Sequence, residues 1–367
     1  MKMIDYAKYS LIQTRKNLDD TSNLKLFIEK VTALNPVRMI FVASGSSYNG
    51  ALVALANYET LSATPISIKT PENIIKNENV NVRNAYVLIS QSGESTNMLD
   101  CLEFLKAHNI PALALTGNEK SSLAKACTNS YYYGSGFESV GFVTMGVQTL
   151  IEFLNFAMLS LYGTNEEIER FHKGIEFLYK ENELLSKQTE QFIKDNFLLL
   201  SQKNPTIFCG DVENFGVAKE ASLKWEETLK RPAMYYEVEE FLHGPDFQLT
   251  PNHTVFLLDD FEPNKRIEQI FKQLQSVSSQ IYVVSSNPQL TGEKVLHLPK
   301  SLNRHIDSME KLFPFQFIAA YLSDKLDTWD KHPYFEKVNQ SIEIKTELYR
   351  SNLSKFAESW DKEESND

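Results

Sequence analysis

Four strand-like segments in the first half of the chain return in the same order in the second half. They begin at Arg38 ("RMIFVAS"), Ala85 ("AYVLISQSG"), Pro111 ("PALALTGN") and Ser130 ("SYYYGS"). Their counterparts begin at Pro205 ("PTIFCGD"), His253 ("HTVFLLDD"), Gln280 ("QIYVVSSN") and Val295 ("VLHLP"), each shifted by 165 to 169 residues. A shift this constant implies two copies of one structural unit, although the residues themselves differ. Helix patterns follow the second segment of each set, "STNMLDCLEFLKAH" and "NKRIEQIFKQLQS". Strands alternating with helices predict an α/β fold, each copy a mostly parallel sheet with helices on both faces, three layers in all.

The expected organisation is a first unit over residues 1–180 with an N-terminal helical segment and a second unit over 181–330 with a helical connector. A C-terminal tail over 331–367 would close near the site. The connector "NEEIERFHKGIEFLYKENELLSKQTEQFIKDNFLLLSQ" is charged, with apolar residues at helical spacing. The longest apolar run, Phe142 to Gly163, is broken by Gln148, Glu152 and Asn155, which predicts a core or subunit-interface helix rather than a membrane span. The first twenty residues lack the apolar core and cleavage site of a signal peptide. Cys101, Cys127 and Cys209 are odd in number and form no C-x-x-C, so they are expected to be small buried residues in a reducing cytoplasm. A formal net charge of −11 argues against nucleic acid or an anionic membrane as partner.

Parallel sheets bind ligands at the carboxyl ends of their strands. In the first copy those ends carry "SGSSYNG" (Ser44 to Gly50) and "SQSGES" (Ser90 to Ser95), each opening a helix pattern. Peptide N–H groups at a helix start, serine hydroxyls and the freedom of Gly45 and Gly93 together suit an anion. The second-copy equivalents carry Asp211, Glu213, Asp259, Asp260 and Glu262, which would repel one. Neither serine loop fits G-x-x-x-x-G-K-[ST] or G-x-G-x-x-G, so a nucleotide is not indicated. No H-E-x-x-H or similar metal spacing exists, and no cofactor is expected.

The acid–base candidates lie in Phe215 to Leu249. Glu220, Lys224 and Glu227 share one face of a predicted helix that should stop before Pro232, either as a surface ion-pair stripe or as a carboxylate held beside a cation. His243 stands before Gly-Pro in "EVEEFLHGP" and could shuttle protons. His332 and Lys337, in "DKHPYFEKVNQ", are weaker candidates, the lysine for a Schiff base if desolvated.

At these residues the chain resembles the SIS (sugar isomerase) family from about Val31 to Lys337. It is similar to the isomerase half of glutamine–fructose-6-phosphate amidotransferase and, in overall build, to stand-alone fructosamine-6-phosphate deglycases. The motifs that carry the resemblance are "SGSSYNG", "SQSGES", the turn "GFVTMG" and the segment "AKEASLKWEETL…EEFLHGP". The resemblance implies two tandem SIS-type units. It implies that Ser46, Ser47, Ser90, Gln91, Ser92 and Ser95 hold a sugar phosphate and that Thr144 touches the sugar. Glu227 is implied to move a proton between C1 and C2, His243 to assist ring opening or protonate the leaving group, and Lys337 to be the Schiff-base lysine. In the amidotransferase the histidine reaches across from a second subunit, which implies a homodimer with a shared active site. The chain passes from Met1-Lys2 directly to the sugar domain, so glutaminase activity is not expected.

The resulting expectation is a phosphosugar-processing enzyme, foremost a deglycase cleaving a 6-phosphorylated fructosamine to hexose 6-phosphate and amine. An amino-sugar-6-phosphate deaminase or an aldose–ketose isomerase would use the same apparatus. A non-catalytic sugar-phosphate sensor is the reading from another class. The acidic run Glu237, Glu239 and Glu240 is expected to line the leaving-group side and to favour a cationic amine.

Overall fold

The computed structural model describes residues 2–349 apart from 57, 59–61, 78, 137, 263 and 330–340. The first unit runs α1 (Met3–Asn17), α2 (Ser22–Leu34), β1 (Arg38–Val42), α3 (Ser46–Leu55), β2 (Ile66–Lys69), α4 (Pro71–Asn77), β3 (Asn84–Ser90), α5 (Thr96–Ala107), β4 (Ala112–Thr116), α6 (Ser122–Ala126), β5 (Asn129–Tyr132) and α7 (Met145–Tyr162). After α8 (Asn165–Leu200) the second unit follows as β6 (Thr206–Cys209), α9 (Glu213–Lys224), β7 (Ala233–Tyr236), α10 (Val238–Leu242), β8 (Thr254–Leu258), α11 (Lys265–Leu274), β9 (Ile281–Ser285), β10 (Val295–His297) and α12 (Arg304–Leu326).

Both sheets have five strands, ordered β2-β1-β3-β4-β5 and β7-β6-β8-β9-β10, and every pairing is parallel. The two units therefore repeat one topology, and the α/β reading holds. Each repeat also contains a strand not expected from the sequence, β2 and β7, short edge strands of four residues each.

The alternation of side chains across the strands builds the core. Met39, Phe41, Val87, Ile89, Leu113 and Leu115 of the first sheet face inward, as do Phe208, Phe256, Leu258, Tyr282 and Val284 of the second. These two inner faces share one hydrophobic core with residues of α3, α7, α8, α9 and α12. The residues between them, such as Ile40 and Val42 or Ile207 and Cys209, face outward onto α4–α6 and α10–α11 respectively. α7 is buried along most of its length, including Gln148, Glu152 and Asn155, as expected for a core helix. Among the described residues no helix is long and apolar enough to cross a membrane. All three cysteines are buried and unpaired.

The connector is one helix of 36 residues, opened by a Thr164/Glu167 capping box that satisfies its first N–H groups. It runs through the expected boundary at residues 180 and 181, so the chain passes from one unit to the other without a flexible linker.

One local feature marks the repeat at the level of backbone angles. Gly45, before α3, has φ +58° and ψ −137°, and Val212, before α9, has φ +50° and ψ −118°. These two residues are 167 apart, the same shift as their strands. A β-branched residue is strained there, by about 1–3 kcal/mol. Relief of that strain should exceed the entropic cost of glycine, about 0.5–1 kcal/mol. Val212→Gly is therefore expected to raise the stability of the protein by about 1 kcal/mol, read from urea unfolding midpoints. A lowered midpoint would mean the corner is not strained.

Candidate active site

The loops after β1, β3 and β4 and the segment before α7 enclose a cleft of about 700 Å³. Its wall includes Ser44, Ser46, Ser47, Ser90, Gln91, Ser92 and Ser95. β1 and β3 are neighbours in the sheet, so their two serine loops come together at its carboxyl edge. Asn97 ties them, its Nδ2 donating to Ser44 Oγ at 3.1 Å. Within the second loop, Gly93 N donates to Ser90 Oγ at 3.2 Å and Glu94 N donates to Ser92 Oγ at 3.2 Å.

The second unit contributes the charged edge of the cleft. α9 crosses α3 so closely that a Cβ on Gly216 would stand 2.6 Å from the Val53 backbone nitrogen. That approach brings Glu220 and Lys224 of α9, both fully buried, against α3. Asn49 Nδ2 donates to Glu220 at 2.8 Å, and Lys224 Nζ donates to Ser46 Oγ at 3.1 Å and to Glu227 Oε2 at 2.5 Å. Burial opposes the charge of Lys224, but Glu220 and Glu227 more than offset it and hold the ammonium above its ordinary range. Glu227 sits on a single π-helical turn, Trp225–Leu229, that extends α9, and its carboxylate reaches the cleft. Such turns re-aim one side chain out of a helical row. The helix ends at Lys230, before Pro232 as expected. The ion pair is thus a buried network and not a surface stripe.

Other expected residues are placed differently. Thr144 is fully buried, its hydroxyl donating to the Phe142 carbonyl at 3.1 Å, and the cleft wall there is Gly141 and Val143. His243 is exposed and is not part of the cleft within one chain. Nor are Glu237, Glu239 and Glu240, and Glu239 is engaged by Arg266 at 2.9 Å. Within one chain the carboxylates that line the cleft are Glu94, Glu119, Glu138 and Glu227. His332 and Lys337 lie outside the described residues.

Two cleft residues were not anticipated. Glu138 is held at the N-terminus of α7, accepting from the backbone N–H groups of Thr144, Met145 and Gly146, and from Gln91 Nε2 at 2.5 Å. Burial raises its pKa against those four donors. The second is Lys345. Its Nζ donates to Ser92 Oγ at 2.9 Å and Ser95 Oγ at 2.7 Å. Burial lowers its pKa to about 8, with Glu94 acting the other way.

The acidic loops of the second unit serve its own fold. Asp259 accepts from the backbone N–H groups of Asp260 and Asn264 at 3.0 Å each and from Ser285 Oγ at 2.6 Å. A carboxylate of the chain thus fills the corner where the first unit is lined with serines. Asp211 accepts from Val238 N at 2.8 Å. Among the described residues no cluster of three or more His, Cys, Asp or Glu is placed to hold a metal ion.

With this geometry in place, comparison with known proteins is specific about the first unit. Residues 34–158 match the SIS domain. The chain is 27% identical over 234 residues to glutamine–fructose-6-phosphate aminotransferase (isomerizing) of Clostridium perfringens, covering 62% of this chain and 37% of that one. The chain spans about half the length of the curated relatives it matches. Its fold superposes on a candidate phosphosugar isomerase from Clostridium difficile 630 with a TM-score of 0.81 at 20% identity, over 92% of this chain and 97% of that one. It also superposes on glucosamine-6-phosphate deaminase from Thermotoga maritima with a TM-score of 0.70 at 20% identity, over 89% and 98% of the two chains. Residues 34–158 are thus similar to the SIS domain, and the fold of the whole is shared with proteins of these descriptions.

The buried network predicts a separation between stability and chemistry. Lys224→Met strands the Glu220 carboxylate and should cost about 3–5 kcal/mol. Glu227→Gln leaves Lys224 the Glu220 charge and an amide oxygen to donate to, and should cost less, about 1 kcal/mol. Chemical denaturation of both variants checks this. Equal midpoints for Lys224→Met and wild type would show that the network does not join the units.

Proposed function

We propose that the chain is an enzyme acting on a 6-phosphorylated ketosamine, releasing hexose 6-phosphate and an amine. The observation that carries this reading is one cleft lined both by a nest of hydroxyls and by Glu227, which the buried Lys224 holds from behind. Ser46, Ser47, Ser90, Ser92 and Ser95 would bind the phosphate, with Gln91 against the sugar. Thr144 would support that sugar wall from behind through its place at the start of α7.

Glu227 is the base. It takes the proton from C1 of the open-chain ketosamine while the C2 oxygen gains one, giving an enaminol. The C1 proton then returns to C2 as the nitrogen releases a proton, which balances the one taken up at the oxygen. The C1–N bond is then an imine, and water adds to C1. The amine leaves as its nitrogen takes a proton from His243. The sum is ketosamine phosphate plus water giving hexose 6-phosphate plus amine. Lys224 fixes the Glu227 carboxylate while one oxygen remains open to the cleft. His243, exposed on each chain, would act in the cleft of a second copy in a homodimer. Amino-sugar-6-phosphate deamination and aldose–ketose isomerisation use the same proton transfer, so the substrate panel decides among them. The similarity of the fold to a glucosamine-6-phosphate deaminase and the SIS domain itself support the sugar-phosphate reading.

Incubation with phosphorylated fructosamines, amino sugars and hexose phosphates, following amine and hexose 6-phosphate, tests the proposal. Glu227→Gln should lower turnover about 10²- to 10⁴-fold while ligand still binds. Undiminished turnover in that variant, or a ligand response with no turnover by wild type on the whole panel, would sink it; the latter is the behaviour of a sensor.

A further inference from the structure

The hydroxyls of Ser92 and Ser95 have one proton and two lone pairs each. Ser92 Oγ accepts from Lys345 Nζ at 2.9 Å and from Glu94 N at 3.2 Å. Ser95 Oγ accepts from Lys345 Nζ at 2.7 Å and from Ser90 Oγ at 3.4 Å. The lone pairs of both hydroxyls are therefore engaged, and among the described residues neither proton meets an acceptor. Two O–H groups and the remaining N–H of an ammonium meet at one wall of the cleft. That arrangement calls for a ligand that only accepts hydrogen bonds and carries negative charge.

The lysine is held there by its own segment. Thr96 N donates to the Ile344 carbonyl at 3.2 Å, and Thr96 Oγ1 donates to the Glu343 carbonyl at 2.7 Å. On the other side Thr346 N donates to the Glu94 carbonyl at 3.1 Å, and the Thr346 hydroxyl donates to the Glu94 carboxylate. A bridge of antiparallel β type pairs Ser95 with Lys345 itself. The ammonium also stands 5.4 Å from the centroid of the Tyr349 ring. Residues on both sides of Lys345 are thus pinned to the loop that leads into α5.

The charges around this wall are adverse to an anion. Glu94 lies on the same loop, Glu138 and Glu227 line the cleft, Glu119 and Lys120 line it after β4, and Glu343, Glu347 and Tyr349 belong to the segment of Lys345. Lys224, buried behind Ser46, is matched by Glu220 and Glu227 together. A phosphate dianion held by hydroxyls and peptide N–H groups alone would face a predominantly acidic cleft.

We propose that Lys345, carried into the cleft by the C-terminal segment, is a direct ligand of the substrate phosphate and supplies a positive charge at the second serine loop. The inference rests on the phosphosugar reading above and adds to it a residue outside both serine loops. Phosphate restores to the ammonium the solvation it loses in the cleft. In the free protein Lys345 is cationic below about pH 8 and neutral above it. Binding fixes the proton, so affinity is full at pH 7 and falls as the pH rises past 8.

The test is calorimetric titration of the full chain with glucose 6-phosphate and with inorganic phosphate, at pH 7 and pH 9. Wild type should bind both and weaken about tenfold across that interval. Lys345→Met should bind roughly 10- to 100-fold more weakly at pH 7 and show no such trend. Lys345→Arg should restore binding at pH 7 and keep it at pH 9, because guanidinium does not titrate there. If Lys345→Met binds as wild type does, Lys345 is not a ligand. If it binds more tightly, the lysine is a plug that the ligand must displace, and the inference is overturned. A borohydride-trapped adduct of the sugar on Lys345 would equally overturn it, by making the contact covalent. Failure of wild type to bind either probe at either pH would instead remove the phosphosugar reading beneath it.

Discussion

A fully buried lysine joins the two halves of this molecule. Lys224 belongs to the second unit, yet it donates to Ser46 at the start of α3 in the first, and its neighbour Glu220 is held by Asn49 of the same helix. An ammonium taken out of water is costly unless its partners are close and fixed. Here they are fixed only if α3 and α9 cross at near contact, which the absence of a side chain at Gly216 permits. The crossing, the shared core beneath it and the orientation of Glu227 therefore depend on one another. A carboxylate held by such a network has its orientation set before anything enters the cleft.

The two units have the same topology and opposite interiors at the carboxyl edges of their sheets. In the first, serine hydroxyls and helix-start N–H groups line a cleft. In the second, Asp259 takes the N–H groups of its own loop and the hydroxyl of Ser285. An internal carboxylate makes the same hydrogen bonds that an external anion would and cannot leave. The second unit is thereby a scaffold that presents α9 to its sibling.

Much of this was legible from the chain alone, for reasons that are local. A buried parallel strand is a short apolar run, and "RMIFVAS" or "HTVFLLDD" needs no context to be read. The constant shift between halves then fixed the repeat. β2 and β7 escaped because "ISIK" and "AMYY" are four-residue edge strands without a strong pattern. The serine loops were found because they follow such strands directly, and all their expected residues line the cleft. The placement of Thr144 depended on which of two adjacent residues faces the cleft at the start of α7, a matter of one step in helix phase. Lys345 carried no local signal, since the serines it contacts are 250 and 253 residues away and only the closed fold brings them together.

The corner shared by Gly45 and Val212 separates two reasons for a glycine in a cleft-lining loop. Both units bend the chain through the same positive-φ angle, and only the first lines the bend with serines. The angle is thus demanded by how a parallel strand hands over to its helix, whatever is or is not bound nearby. Gly45 then belongs to the architecture common to both units, and what distinguishes the first is the run of serine side chains that follows it.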